Sequence, residues 1–192
     1  MRVLAVGNRS PSSAAGGYER IFAGTVAALA AAGHDVRVLT PPELRWYWRD
    51  GDFVRPPWRE VARIERHNAA VLRRALAGAD VVSWWGMGGM SLSLVERVRR
   101  AGVPAVGVVG DGWMVYGPGA DAWTRLRRRV PVLDAPDLSG TRWLFISEAV
   151  RARAPVGGGV VRPGVDPAAF PYRAAGPRAL SPGLPSRRWW VR

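Results

Sequence analysis

Two carboxylates in this chain are set where they could act on a hydroxyl group. Glu19 closes the run Gly16, Gly17, Tyr18, Glu19 at the start of a helical pattern, and Asp111 follows Gly110 at the end of an apolar run, with Trp113 just beyond. A carboxylate so placed can orient an attacking hydroxyl or take up its proton. Each also has an ordinary explanation: an acid in a first helical turn offsets the helix dipole, and an aspartate caps a loop. Gly16 and Gly17 offer backbone N–H groups at a helix start, where an anion can bind, or else they permit a tight turn. Ser83, Trp84 and Trp85 precede the glycine-rich stretch Gly86 to Gly89, and Trp46, Trp48, Trp84, Trp85 and Trp113 are expected to ring one crevice. Indole faces stack on sugar rings and apolar ligands, although packing is the commoner use of a single tryptophan.

Other chemistries are disfavoured. The chain has no cysteine, and its two histidines, His34 and His67, have no ligand-spaced neighbours, so no metal site is expected. Gly7 stands alone before Asn8, Arg9 and Ser10, which is not the spacing of a dinucleotide-binding fingerprint. The formal charge of +13 comes from 28 arginines without a single lysine, and glutamine is absent too. That pattern fits GC-rich coding bias with arginines on solvated helix faces. Nucleic-acid binding is disfavoured because no recognition motif accompanies the charge, whereas attraction to anionic lipid or a phosphorylated substrate is the better reading. The first residues hold too short an apolar run for a secretory core. A cytoplasmic protein is expected, with peripheral contact to the inner face of the membrane as a further expectation.

The elements that must position these residues alternate. Apolar runs predict strands over 2–6, 35–39, 80–84, 105–109, 142–146 and 159–162, and helical periodicity predicts helices over 17–32, 58–77, 90–101, 120–129 and 148–153. Ile21, Phe22, Val26, Leu29 and Ala30 should face inward from the first helix, Val61, Ile64, Val71, Leu72 and Leu76 from the second, and Leu92, Leu94, Val95 and Val98 from the third. Ser147 should cap the last helix. Strands alternating with helices imply an α/β fold, a Rossmann-like parallel sheet with helices on both faces and all strand carboxyl ends along one edge. Residues 1–171 form one domain on this reading. Residues 172–192, rich in Pro, Gly and Arg, read as a linker or disordered tail.

In their order along the chain, GGYER at 16–20, DVVS at 80–83, GVVGDGWMVYGP at 107–118, FISEAVR at 145–151 and RPGVDPAAF at 162–170 resemble the amino-terminal, acceptor-side domain of a GT-B glycosyltransferase of family 4. The resemblance implies a retaining transferase that moves sugar from a nucleotide-diphosphate donor to a hydroxyl, without a metal or other cofactor. It implies an acceptor site at Gly16, Gly17, Tyr18, Ser83, Trp84, Trp85, Gly110 and Trp113, with Glu19 and Asp111 as the catalytic candidates. The chain departs from the pattern twice: Gly110 stands where the family has a histidine that touches the transferred sugar, and Ser83 where histidine is common. Arg162, Pro163 and Gly164 with Asp166 and Phe170 resemble the turn into the hinge between domains. The carboxy-terminal donor-binding domain, with its paired glutamates, is not in these residues, so the chain alone is expected to be inactive. A separate donor-binding domain, a sugar or lipid-linked acceptor and self-association as a dimer are the expected partners. The rival reading is a non-catalytic module derived from such a domain that binds a glycan, a lipid head group or a protein.

Overall fold

The computed structural model describes residues 1–13, 16–49, 52–129 and 136–164. Its centre is β1 (Arg2–Gly7), buried from Val3 onward because apolar side chains project from both faces of the strand. A short 3-10 turn (Pro11–Ser13) leads to α1 (Gly17–Ala31), and Gly33, at φ 81°, turns the chain into β2 (Asp35–Leu39). A two-stranded antiparallel ribbon of β3 (Trp48–Arg49) and β4 (Asp52–Phe53) precedes α2 (Trp58–Leu76) and β5 (Val81–Trp85). Next come α3 (Ser93–Arg100), β6 (Ala105–Val109), α4 (Trp113–Ala120), α5 (Ala122–Arg127), β7 (Thr141–Phe145), α6 (Glu148–Arg151) and β8 (Gly159–Val160).

The main sheet has six strands in the order β2-β1-β5-β6-β7-β8, with every pair parallel. This is the doubly wound, Rossmann-like α/β arrangement. The chain leaves β1 in one direction to reach β2 and returns on the other side to reach β5, so the order reverses between β1 and β5. Crevices open at such reversals, beyond the strand carboxyl ends.

Each face of the sheet carries its own core. Phe22 of α1 packs with Ala5 and Trp85 on one face, its ring stacked on the Trp85 indole at 4.8 Å between centroids. On the other face Leu72 of α2 and Val95 and Val98 of α3 cover Leu4, Val6, Val82 and Trp84. The inward residues expected of α2 and α3 are there, Leu76 half-buried and the rest buried. Of the inward residues expected on α1 only Phe22 is buried, Ile21, Val26 and Leu29 are half-buried, and Ala30 is exposed. Trp143 of β7 lies across Gly107 of β6, where a Cβ would collide with the indole ring. Its indole N–H donates to Leu138 O at 3.0 Å, and its ring meets Trp113 edge-on at 5.7 Å.

The expected strand and helix order holds throughout, with three differences. The β3–β4 ribbon was not anticipated, because each strand is only two residues long. The helix expected over 120–129 is the shorter α5, Ala122–Arg127, and α4, over Trp113–Ala120, is a further helix that was not anticipated. Asp121 caps α5 by accepting from Trp123 N at 3.0 Å, and its backbone leaves the helical region there. The helix expected over 90–101 starts later, at Ser93. Ser147 caps α6 as expected, accepting from Val150 N at 3.2 Å. The tail over 172–192 and the turn at Asp166 and Phe170 lie outside the described residues.

Candidate functional site

The reversal between β1 and β5 opens into a cavity of about 340 Å³ lined by Asn8, Arg9, Tyr18, Glu19, Trp46, Trp48, Phe53, Gly86, Gly88, Gly110, Asp111 and Tyr116. Its floor is the loop after β5, tied to the end of β1: Asn8 N donates to Gly86 O at 3.1 Å and Asn8 Nδ2 to Gly88 O at 2.9 Å. The glycines of this loop let rings approach the backbone. A Cβ on Gly86 would stand 2.7 Å from Asn8 Oδ1 and 2.9 Å from Tyr18 Cε1, and one on Gly89 would stand 3.2 Å from Phe53 Cε1. Gly86 and Gly89 also hold positive φ, 46° and 77°.

Tyr18 is fixed at three points. Its hydroxyl donates to Val108 O at 3.0 Å and accepts from Gly86 N–H, and its ring covers Gly110. Burial pushes the phenol far above its usual range, so it stays protonated and serves as a strut between α1, β5 and β6.

The opposite wall is aromatic. Trp46 and Trp48 have centroids 6.5 Å apart, Phe53 meets Trp48 edge-on at 4.6 Å, and Tyr116 of α4 lies 5.8 Å from Phe53. The ribbon that carries this wall is anchored through Tyr47, whose N–H donates to Gly89 O at 2.6 Å. The buried Tyr47 ring passes its hydroxyl to Glu65 Oε1 at 2.9 Å, and Ser93 Oγ donates to Glu65 Oε2 at 2.5 Å. A network of buried side chains on α2 and α3 therefore sets the height of the aromatic wall over the crevice.

The polar groups meet between floor and wall. Asp111 accepts from Trp113 N at 3.1 Å through Oδ1 and from the Tyr116 hydroxyl at 3.1 Å through Oδ2. Burial, then the neighbouring Asp111 carboxylate, hold the Tyr116 phenol well above its usual range. Glu19 is buried at 9% exposure and pairs with Arg9 at 3.5 Å. The cavity thus offers two carboxylates as acceptors, a guanidinium and rings for stacking, a set suited to a hydroxylated ring.

Of the residues singled out from sequence, the structure brings Tyr18, Glu19, Gly110 and Asp111 to this cavity. Gly16 and Gly17 sit beside it at the start of α1. Gly16 is the extended N-cap residue, and a Cβ there would stand 2.7 Å from Glu19 Oε2, the movable end of that side chain. Four expectations need correction. Trp84, at 0% exposure, belongs to the core on the α2–α3 face. Trp85 packs under α1, with its indole N–H on Ser83 Oγ at 2.9 Å, so Ser83 satisfies a core indole instead of facing the crevice. Trp113 turns inward against Trp143. Strand alternation decides the first three: β5 is a central strand, buried on both faces, so its indoles have no free rim to occupy. Trp46 and Trp48 do line the cavity as expected. Of the lining residues not singled out from sequence, Asn8, Arg9 and Tyr116 fall in the strand-end stretches 7–19 and 110–116 where a crevice is expected, and Phe53 lies on the ribbon. Asp50 and Gly51 between the aromatic runs WYW and F were a hairpin signal that pointed to Phe53. His34 and His67 lie outside the cavity, and His67 Nε2 is 2.9 Å from Glu43 O.

Among the described residues no cluster of His, Cys, Asp and Glu could hold a metal ion, and no helix is long and apolar enough to cross a membrane. No family model matches the chain, and no curated protein matches it. Among solved structures, the crystal structure of TesA aligns with 68% of this chain and 72% of its own length at 18% identity and a TM-score of 0.33. The class that fold and site define is a Rossmann-like α/β domain with its cavity at the strand-order reversal. What that cavity does rests on its own chemistry.

Proposed function

We propose that the chain is the acceptor-side domain of a retaining, nucleotide-sugar-dependent glycosyltransferase, and that the cavity at the reversal seats the hydroxylated acceptor. The observation that carries this reading is the convergence of Glu19 and Asp111 with the Trp46, Trp48, Phe53 and Tyr116 wall in one crevice. A ring laid on the wall would direct a hydroxyl at Asp111, which Tyr116 and Trp113 N–H already hold in place. Asp111 orients that hydroxyl and Glu19 fixes a second, while a donor-binding domain across the crevice supplies the nucleotide sugar. The chain on its own is then inactive. Rate enhancement comes from orientation and from stabilising the departing diphosphate. The same reading places the protein in the cytoplasm, with its arginines available to an anionic membrane face.

A second reading, a non-catalytic module that binds glycans, draws on Tyr18. Its ring fills the room beside Gly110, where the resembled family has a side chain that touches the transferred sugar, and its hydroxyl is committed to Gly86 and Val108.

The test combines the full chain with a separately expressed donor-binding domain, a panel of nucleotide sugars and a panel of hydroxylated acceptors. Sugar transfer that falls at least a hundredfold in Asp111→Asn supports the enzyme. Acceptor binding without transfer from any donor supports the module, and absence of both overturns the reading of the cavity.

A further inference from the structure

Next to the acceptor cavity lies a second hollow of about 460 Å³, lined by Asp52, Phe53, Arg55, Tyr116, Gly119, Ala120 and Arg125. The two share Phe53 and Tyr116, so a ligand on the aromatic wall reaches from one to the other. Two guanidiniums face the second hollow. Arg125 is held by backbone carbonyls: Nη1 donates to Gly119 O at 2.7 Å and to Ala120 O at 3.3 Å, and Nη2 to Val54 O at 3.4 Å. Those bonds fix its plane without neutralising its charge. Arg55 is exposed, and neither arginine has a carboxylate ion-pair partner among the described residues. Desolvation, and after it repulsion from Arg55, push Arg125 below its ordinary pKa, with the Asp121 carboxylate acting against them. The hollow's one carboxylate, Asp52, accepts from Phe53 N at 2.7 Å and leaves a net positive lining.

Like charges held around one hollow are relieved by a shared anion, and guanidiniums match tetrahedral oxyanions through paired N–H donors. We propose that Arg55 and Arg125 form a subsite for a phosphate-type anion carried by the ligand whose hydroxylated ring lies on the neighbouring aromatic wall. The substrate class is then a phosphorylated polyhydroxyl compound. The ring portion rests on the reading of the cavity given above; the anion portion stands on the two arginines alone.

The full chain is titrated calorimetrically at low salt with inorganic pyrophosphate, with glucose 1-phosphate and with phosphatidylcholine vesicles containing phosphatidic acid. Arg55→Gln and Arg125→Gln are compared with Arg73→Gln, which removes the same charge from the last turn of α2. The expected result is saturable binding of both soluble phosphates at one site, weakened about tenfold by Arg55→Gln and by Arg125→Gln and less than twofold by Arg73→Gln. Arg55 donates no hydrogen bond to the protein among the described residues, so its variant reports on the subsite even where Arg125→Gln disturbs the fold. Equal weakening by all three variants would assign the binding to diffuse charge and overturn the proposal. Binding to vesicles only, or no soluble phosphate bound at millimolar concentration, overturns it as well. Arginine-dependent binding of both soluble phosphates with no loss of glucose 1-phosphate affinity in Trp48→Ala would leave the subsite standing and sink the reading of the cavity.

Discussion

The ring of Tyr18 lies on the backbone of Gly110: a Cβ built there would stand 2.6 Å from Tyr18 Cε2 and closer still to Cδ2. The contact joins the first turn of α1 to the end of β6, while the Tyr18 hydroxyl bridges Gly86 and Val108. One residue thus fastens the loops after β1, β5 and β6 at the floor of the cavity. The glycine at 110 and the tyrosine at 18 are parts of a single packing solution, and each restricts the other.

The first prediction follows from that restriction. Gly110 is not among the positive-φ glycines, so alanine there meets a steric obstacle and no backbone one. Gly110→Ala should cost about 1–3 kcal/mol, as overpacked sites do. In a Tyr18→Ala background the same change should be nearly neutral, because the ring it strikes is gone. Urea denaturation of the four proteins measures the coupling, and additive costs would show that the ring yields without strain.

The tryptophans should separate into two groups. Trp48, on the ribbon, faces the cavity, so Trp48→Ala should lower acceptor affinity about tenfold while costing roughly 1 kcal/mol of stability from its edge-on contact with Phe53. Trp113, at 1% exposure, packs on Trp143, so Trp113→Phe should cost roughly 1–3 kcal/mol and leave affinity of the folded protein unchanged. Calorimetric binding and thermal melts on both variants check the contrast. A loss of affinity in Trp113→Phe equal to that in Trp48→Ala would contradict it.

The contrast also shows what the sequence could and could not reveal. Apolar patterning was enough for β1 and β6, because a central parallel strand reads as an unbroken apolar run, and for the edge strand β2, whose DVRVL run alternates, while Gly33, Gly78 and Gly102 mark helix ends with positive φ. The loops at strand ends were legible as the place for a site, and Tyr18, Glu19, Gly110 and Asp111 are there. Which way an indole points was not legible. Trp84 and Trp85 are adjacent on β5 and go to opposite cores, whereas Trp46 and Trp48 hold the rim as expected, joined by Phe53 on a ribbon too short to show a period. Tyr116 joins the wall only because α4 starts right after Asp111, a consequence of the Asp111 bond to Trp113 N that no spacing announces.

Asp121 supplies a pH-dependent prediction. Its carboxylate is at 0% exposure, and burial raises its pKa to about 6, against the bonds from Thr124 Oγ1, Leu92 N and Trp123 N that favour the ion. The folded state therefore binds this proton more tightly than the unfolded chain. That contribution to stability is fully present below about pH 4 and is lost as pH rises through about 6. Asp121→Asn removes the titrating group, so the stability advantage of wild type over the variant should shrink between pH 4 and pH 7. Denaturant midpoints across that range measure it, and a constant or widening advantage would contradict the assignment.

The ion pair between Glu96 and Arg127 should respond unequally to loss of its two members. Both side chains are about 10% exposed and lie 2.9 Å apart, and Glu96 has a second partner in Arg100, whose own side chain is 68% exposed. Removing one member of a buried pair leaves the other charge desolvated, at a cost of about 3–5 kcal/mol. Glu96→Gln does this to Arg127, whose Nε already lacks an acceptor among the described residues, so the full cost is expected. Arg127→Met leaves Glu96 with Arg100 and a path to solvent, so its cost should fall clearly below that range. The double replacement Glu96→Leu and Arg127→Met buries no charge and should recover most of the loss. Thermal and urea unfolding of the single and double variants test the order: if Arg127→Met proves the more damaging single change, Arg100 does not compensate Glu96 and the pair is balanced by Arg127 alone.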